Sequence, residues 1–318
     1  MQTTTTKKRN VKIDFANDYK KEIANATKPI ILDYRLGAPI VHIPAGTKLS
    51  GKFTASIDYT VHCTNLLSDG DQNTKLSKSN SADTDYRSFG LSLAPHKVSG
   101  FNTCPAASIG CSESCLDSTG LRSVFERIHI GKIARTIAFF KHRRWFLNRL
   151  ETELENKCKH GVKTGYTPCF RLNMFSDLPW EKFIDMEYYY RYQCSRAWFY
   201  DYTKRLERSG LQERNYWITA SRSETNNDGI LDCLSRGINC AIVFGSTRGR
   251  QHVSLPRTWS SYPVIDGDKT DLRFLDPRGR KHGRVVGLTL KAASLREYYN
   301  AIESGFAIDI HASDHRRS

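Results

Sequence analysis

The strongest periodic signal along the chain is a helical one near its middle. Between Val124 and Lys157 there is no proline, and Gly131 is the single glycine. Apolar residues recur three, four or seven positions apart at Ile130, Ile133, Ile137, Phe140, Leu147, Leu150 and Leu154. That spacing places them on one face of a helix, so this segment predicts one long helix or two consecutive ones.

A different pattern follows the helical segment. Short apolar or β-rich runs alternate with helical stretches, and the runs are Thr167–Met174, Ala197–Tyr202, Tyr216–Ser221, Cys240–Phe244, Pro263–Asp266 and Val285–Leu290. Such alternation is typical of α/β proteins, in which helices pack on a mainly parallel sheet. We therefore predict an α/β fold, either an open parallel sheet or a partial β/α barrel with flanking helices.

The N-terminal part of the chain predicts less regular structure. Residues 1–10 are rich in Thr and Lys and predict a disordered tail. Residues 11–67 predict a small N-terminal β element with strands at Pro29–Leu32 and Ala38–Ile43. Residues 68–85 are almost wholly polar and predict a linker or loop, because they cannot bury apolar surface. The main α/β domain, residues 86–318, then carries a cysteine-rich loop.

The net charge of the chain indicates which classes of binding partner to expect. Its 318 residues include 48 Lys and Arg against 33 Asp and Glu, a formal net charge of +15. This favours anionic partners such as nucleic acid, a small anionic ligand or a host protein, with a solvated basic surface as the alternative. The cations of the long helix, Lys132 and Arg135 among them, indicate a phosphate-contacting or solvated face. No apolar run is long enough to cross a bilayer and residues 1–9 show no signal region, which predicts no membrane association and a cytoplasmic location.

Three of the nine cysteines lie in one short loop that contains Gly and Pro, at Cys104, Cys111 and Cys115. In a cytoplasmic chain an odd number of cysteines argues against a disulfide framework. Closely packed thiolates repel each other unless a cation neutralises them. We therefore predict a [4Fe–4S] cluster on these three residues, with the fourth iron open or bound by Cys63 or His96. Zinc and ordinary structural thiols are the alternatives.

Further candidate residues stand where the predicted strands end, which is where parallel α/β folds place their ligand-binding side chains. These residues are Arg171, Asn173, Asp177, Tyr202, Lys204, Ser221, Asp266, Asp268, Asp271 and Arg273. The cationic and amide groups suit a phosphate or a carboxylate, and the carboxylates suit a divalent cation or a ribose hydroxyl. The structural alternative for the carboxylates is a turn capped by Asp and held by Arg273 and Arg278. The alternative for Arg171 is an ion pair with Asp177 or Asp201.

Five blocks of residues carry a resemblance to a known family. In chain order they are Cys104–Leu116, Arg171–Glu181, Tyr200–Lys204, Val264–Asp276 and Val286–Lys291. Together they resemble the phage-encoded gene product eighty-eight domain, over about Tyr86 to Ile310. The resemblance implies a phage origin and a metal-binding cysteine motif, and it supplies no reaction. Where family members continue Lys-Gly after the last strand, this chain has Lys291-Ala292.

Two functions fit these observations. The first is an enzyme or redox protein whose open cluster site acts on a small anionic ligand. The second is a basic nucleic-acid-binding or host-protein-binding module with a structural iron–sulfur or zinc site. Three loop cysteines on a barrel-like alternation also resemble radical S-adenosylmethionine enzymes. The spacing here is Cys-x6-Cys-x3-Cys instead of Cys-x3-Cys-x2-Cys, so we do not predict that activity.

Overall fold

The computed structural model describes residues 32–35, 38–49, 53–70, 76–77, 80, 85–115, 117, 125–209, 214–279 and 281–311. The tail predicted at residues 1–10 and most of the linker predicted at residues 68–85 lie outside the described residues. The division into domains stays a prediction.

A small antiparallel sheet forms the described N-terminal part. Strand β1 (Leu32–Arg35) pairs with β2 (Ala38–Ile43), and β2 pairs with β3 (Tyr59–His62). Val41 and Ile43 are buried in the main hydrophobic core, because alternate residues of a strand point to the same face. The small N-terminal β element is thereby confirmed.

The other described strands form one ten-stranded, mainly parallel sheet. In chain order they are β4 (Leu67–Asp69), β5 (Tyr86–Leu91), β6 (Thr167–Arg171), β7 (Trp198–Thr203), β8 (Tyr216–Ser221), β9 (Cys240–Gly245), β10 (Thr258–Trp259), β11 (Tyr262–Asp266), β12 (Val285–Thr289) and β13 (Ile308–Asp309). Their spatial order is β10-β11-β12-β9-β8-β7-β6-β5-β4, with β13 beside β9. Antiparallel pairs occur at the two edges, where β4 joins β5 and β10 joins β11. The predicted α/β fold with a mainly parallel sheet is confirmed.

The described α-helices are α1 (Ile109–Glu113), α2 (Glu126–Lys141), α3 (Arg143–Thr164), α4 (Met186–Arg191), α5 (Asn227–Ser235) and α6 (Leu295–Glu303). The long helical pattern forms α2 and α3, which are separated at His142 by a non-helical φ of −125° and ψ of 49°. Helix α3 ends at Gly165, whose φ of 84° is the left-handed conformation that glycine adopts without strain. In the described part of the chain, no helix combines the length and apolar composition that crossing a bilayer requires.

The two faces of the central strands are covered differently. Alternate residues of a strand point to opposite faces, and Phe170 and Phe199 pack in the large core that α2 and α3 share with the sheet. On the opposite face, Tyr200 packs with Leu272 and Phe274 from the segment after β11. Helices therefore cover one face and a loop segment covers the other. Each buried aromatic side chain contributes roughly 1.5–3 kcal/mol.

A buried carboxyl group ties the ends of three neighbouring strands together. Asp201 in β7 accepts hydrogen bonds from the backbone N–H of Asn173, just after β6, at 2.8 Å and from the hydroxyl of Tyr216 in β8 at 3.0 Å. The side chain is 1% exposed. Burial raises the pKa of Asp201 to about 7, although these hydrogen bonds oppose the rise.

Replacing Asp201 with Asn is expected to change how stability depends on pH. Because the folded-state pKa of Asp201, about 7, lies above the ordinary value of 3.8, its contribution to stability is full below pH 4 and is lost as the pH rises through 7. The Asp201→Asn variant lacks this loss, so its stability should rise relative to wild type between pH 4 and 7, by up to about 4 kcal/mol. Urea unfolding at a series of pH values measures the difference. The exposed Asp228→Asn variant controls for the loss of one charge, and parallel curves for wild type and Asp201→Asn would contradict the expectation.

Candidate functional site

Strands β5 to β9 are consecutive in both sequence and space, so the loops that follow them lie along one edge of the sheet. Asp177, in the loop after β6, shows how tightly this edge is connected. Its carboxylate accepts hydrogen bonds from the Thr203 hydroxyl at 2.8 Å, the Lys204 backbone N–H at 2.9 Å and the Arg208 guanidinium at 2.7 Å. Arg208, 2% exposed, also binds Glu181 at 2.8 Å. Asp177 therefore fixes the exit of β7 against the loop after β6.

Asn173 organises the turn after β6. Its side-chain oxygen accepts hydrogen bonds from Ser176 at 2.8 Å, the Leu178 backbone N–H at 2.9 Å and the Trp180 indole at 3.0 Å. Its side-chain amide donates to the Leu178 carbonyl at 2.9 Å. These bonds use the hydrogen-bonding capacity of the amide within the protein, so Asn173 acts here as a structural residue.

Arg171, Tyr202 and Asp271 come together on the sheet face that the segment after β11 covers. The Arg171 guanidinium forms an ion pair with Asp271 at 2.6 Å and lies 4.7 Å from the centre of the Tyr202 ring. The expected partners of Arg171 were Asp177 or Asp201, and the observed one is 100 residues away in sequence. The Tyr202 hydroxyl donates to Asp271 at 3.3 Å.

The carboxylates after β11 hold a turn. Asp266 accepts a hydrogen bond from the Asp268 backbone N–H at 2.9 Å. Asp268 accepts from the Thr289 backbone at 2.8 Å and pairs with Lys291 at 2.9 Å. Burial opposes ionisation of Asp268, but these partners lower its pKa. Arg273, fully buried, pairs with Asp276 at 3.3 Å and donates to the Gly267 carbonyl at 3.3 Å. Arg273 thus holds the turn as the structural alternative expects, whereas the Arg278 guanidinium lies 4.3 Å from the centre of the Trp217 ring.

The cysteine loop docks against this edge of the sheet. Cys104 accepts a hydrogen bond from the His96 backbone N–H at 3.4 Å and donates one to the Phe175 carbonyl at 3.4 Å. The hydroxyl of Ser108 caps α1 by accepting from the Cys111 backbone N–H at 3.2 Å. The loop is thus held in place through its own cysteines.

The three loop thiols share one electrostatic neighbourhood. Burial raises the pKa of Cys104 to about 11 and that of Cys115 to about 12, and the negative charge of the neighbouring loop cysteines adds to both rises. Burial also raises the pKa of Cys111, while the Lys204 ammonium, which hydrogen-bonds to this thiol, opposes the rise. Charge on one loop thiol therefore affects the others, and as free thiols all three are protonated at neutral pH.

Lys204 joins the cysteine loop to the end of β8. Its ammonium donates to the Ser221 hydroxyl at 3.0 Å and to the Arg222 carbonyl at 3.4 Å, and its positive charge lowers the pKa of Cys111 against the effect of burial. Three of the residues singled out from the sequence, Cys111, Lys204 and Ser221, are thus brought together. A half-buried ammonium beside a hydroxyl is suited to bind a carboxylate or a phosphate.

Glu224 is a site residue that the sequence reasoning did not select. Its carboxylate accepts hydrogen bonds from the Ser108 hydroxyl and the Gly110 backbone N–H, both at 2.8 Å. A Cβ atom at Gly110 would lie 3.0 Å from this carboxylate, so glycine allows the close approach. The available signal was its position just after a strand, in the polar run Ser221–Glu224.

Just beyond Cys115, a buried ion pair holds the chain against helix α2. Asp117 forms an ion pair with Lys132, and its carboxylate lies 3.4 Å from the His129 ring. Lys132 is 5% exposed, and its ammonium lies 4.4 Å from the centre of the Phe175 ring. The prediction that Lys132 belongs to a solvated or phosphate-contacting helix face is therefore wrong, because its charge is paired inside the protein.

The two candidates for a fourth cluster ligand differ in position. Cys63 is 3% exposed and packs in the main hydrophobic core. His96 contacts Cys104 through its backbone and has a φ of 46°. His96 is therefore the one that adjoins the loop.

The donor chemistry of the loop suits a metal centre, since cysteine thiolates are the usual protein ligands of iron–sulfur clusters. As the side chains stand, no group of three or more His, Cys, Asp or Glu residues is arranged to hold a metal ion in the ranges given above. Binding a metal centre therefore requires the loop thiols to turn toward a common point.

A cavity of about 410 Å³ lies at the other end of the sheet, near the start of β5. Its lining combines cationic, aromatic and polar side chains, namely Asp69, Arg87, Phe89, Asn156, Lys157, His160 and Tyr166. Arg87 is paired with Asp69 at 2.9 Å. This cavity contains none of the residues selected from the sequence.

Fold and site together define an α/β protein with a mainly parallel sheet and a cysteine loop docked at the carboxyl ends of its strands. The family model described as Gene product 88 matches residues 65–309, and the chain belongs to this phage gene-product family. Comparison with curated proteins and with solved structures gave no match.

Removing the Glu224 carboxylate is expected to loosen the cysteine loop. The Glu224→Ala variant leaves the Gly110 N–H and the Ser108 hydroxyl without their acceptor, which should cost about 1 kcal/mol and speed exchange of the Gly110 amide by about tenfold. Hydrogen exchange followed by NMR measures this rate. Glu113→Ala, at an exposed position in the same loop, removes the same charge and should leave exchange unchanged. Equal effects of the two variants would mean that Glu224 acts only through its charge.

Proposed function

We propose that this protein binds an iron–sulfur cluster of the [4Fe–4S] type through Cys104, Cys111 and Cys115 and acts on a small anionic ligand beside it. The observation that supports the proposal is the shared neighbourhood of three thiols on a loop that is clamped to the sheet edge. Residues that are far apart in sequence hold this loop: Glu224 binds it at Ser108 and Gly110, and Lys132 binds Asp117, two residues beyond Cys115.

Binding of a cluster requires the three loop thiols to be deprotonated. Since their pKa values are raised, each must lose a proton when it becomes a ligand, so cluster assembly releases protons. Lys204 is placed to compensate part of the resulting negative charge, because its ammonium already hydrogen-bonds to Cys111.

An iron–sulfur cluster with three protein thiolates supplies electron transfer and an iron atom that is free to take a further ligand. Around it, Lys204 and Ser221 offer an ammonium and a hydroxyl to an anionic group. Asp177 keeps Lys204 in position through its backbone N–H.

The proposal predicts that iron binding depends on Cys111. Wild-type protein purified without oxygen should contain about four iron and four sulfide per chain and give an electron paramagnetic resonance signal after reduction. The Cys111→Ala variant should lose most of the iron and the signal, because two thiolates cannot hold the cluster. Cys194→Ala removes an exposed cysteine outside the loop and should behave like wild type. If the wild-type protein is colourless and contains stoichiometric zinc, the loop binds zinc and not an iron–sulfur cluster. If the wild-type protein contains no metal, both the iron–sulfur and the zinc proposals are refuted.

A second candidate function is supported by the net charge of +15. In it, the metal centre is structural, and the basic surface binds nucleic acid or an acidic surface of a host protein.

This alternative predicts binding to DNA or RNA that weakens steeply with salt. A plot of log K against log salt concentration should be linear, with a slope that reports the number of phosphates contacted. Fluorescence anisotropy with labelled oligonucleotides at several salt concentrations measures it. Absence of binding at low salt would eliminate nucleic acid as the partner, while wild-type binding by the Cys111→Ala variant would separate the basic surface from the metal site.

A further inference from the structure

A second pair of cysteines lies outside the cysteine loop. Cys233 stands near the end of α5, and Cys240 is the first residue of β9. The chain turns back between them at Gly237, whose φ is 86°, and the Ile238 backbone N–H donates to the Cys233 carbonyl at 2.9 Å. This turn places the two cysteines side by side.

The two side chains pack in the same buried cluster, and the Cys240 thiol donates to the carbonyl of Ile230, one helical turn before Cys233, at 3.7 Å. Other polar groups converge on Cys233. The Ser209 hydroxyl lies 3.5 Å from its sulfur, and the Arg236 guanidinium donates to it at 3.8 Å. These two polar partners around one sulfur atom in an otherwise apolar cluster favour its thiolate form.

The direction of the pKa shifts agrees with this geometry. The hydrogen bond from Cys240 and the contacts of Ser209 and Arg236 lower the pKa of Cys233 to about 6, against the effect of burial. The same pairing raises the pKa of Cys240. Cys158 is equally buried, and burial raises its pKa to about 12. Cys233 therefore differs from a buried structural thiol.

We propose that Cys233 and Cys240 form a redox-active dithiol that a hydroperoxide oxidises to a disulfide, linking α5 to β9. In the first step, the Cys233 thiolate attacks the peroxide, an S–O bond forms, the O–O bond breaks and the departing alkoxide or hydroxide takes up a proton. Cys233 becomes a sulfenic acid and the peroxide is reduced to an alcohol or water. The Cys240 sulfur then attacks the Cys233 sulfur, the S–O bond breaks, and water leaves with the Cys240 proton.

The pair is well placed for a reversible reaction. Cys233 and Cys240 are 1% and 0% exposed, so after the first step the neighbouring thiol is the nearest nucleophile to the sulfenic acid. The exposed Arg236 side chain covers Cys233, which lies just beneath the surface. The inference does not depend on a cluster in the loop, because it uses other residues.

Peptide mapping of the full-length protein tests the inference. After brief treatment of reduced protein with hydrogen peroxide, free thiols are alkylated and the chain is digested with trypsin. Because trypsin cleaves after Arg236, the disulfide should appear as Ser223–Arg236 joined to Gly237–Arg248 and should disappear on reduction. The three loop cysteines lie together on another peptide, Val98–Arg122, and do not interfere. We expect Cys233 to be oxidised at least about tenfold faster than Cys158.

Two variants separate the steps. In Cys240→Ser the second step is blocked, so the sulfenic acid at Cys233 should persist and be captured by dimedone. In Cys158→Ser, the control, the disulfide should form as in wild type. Two results would overturn the inference. One is that the wild-type peptides are alkylated and unlinked while Cys240→Ser gives no dimedone adduct. The other is a disulfide that joins Cys233 to a residue other than Cys240.

Discussion

The carboxyl edge of the sheet depends on two buried carboxyl groups that connect neighbouring strands. Asp201 joins β6, β7 and β8, and Asp177 joins the loop after β6 to the exit of β7. A buried carboxyl group without such partners would be costly, so each of these bonds constrains where the next loop starts. The position of Lys204, and through it the contact with Cys111, follows from this constraint.

The cysteine loop packs on that edge, and its own local interactions are too few to fold it. Helix α1 has only five residues, too few to be stable without tertiary contacts. Its stability comes from Glu224 at one end and from the Asp117–Lys132 pair at the other. Thiols that are held in this way by distant elements keep a defined relation to the sheet.

The sequence was a good guide wherever the signal is local. Periodicity predicted α2, α3 and the alternation of strands and helices, and the short spacing of the loop cysteines marked them as a group. Local sequence patterns do not reveal side-chain partners that only the tertiary fold brings together. The Arg171–Asp271 pair spans 100 residues, and Lys132 looks like a surface charge until the chain places Asp117 beside it. Glu224 was missed because one acidic residue after a strand has no pattern of its own.

The edge strands of the main sheet affect how readily two molecules of this protein can pair through their β-sheets. An exposed edge strand offers unpaired backbone groups to another chain, and long flat edges promote aggregation. Here the parallel strands are bordered by β4, with three residues, and β10, with two. Such short borders present few free N–H and C=O groups, so the fold gives a second molecule little room to extend the sheet.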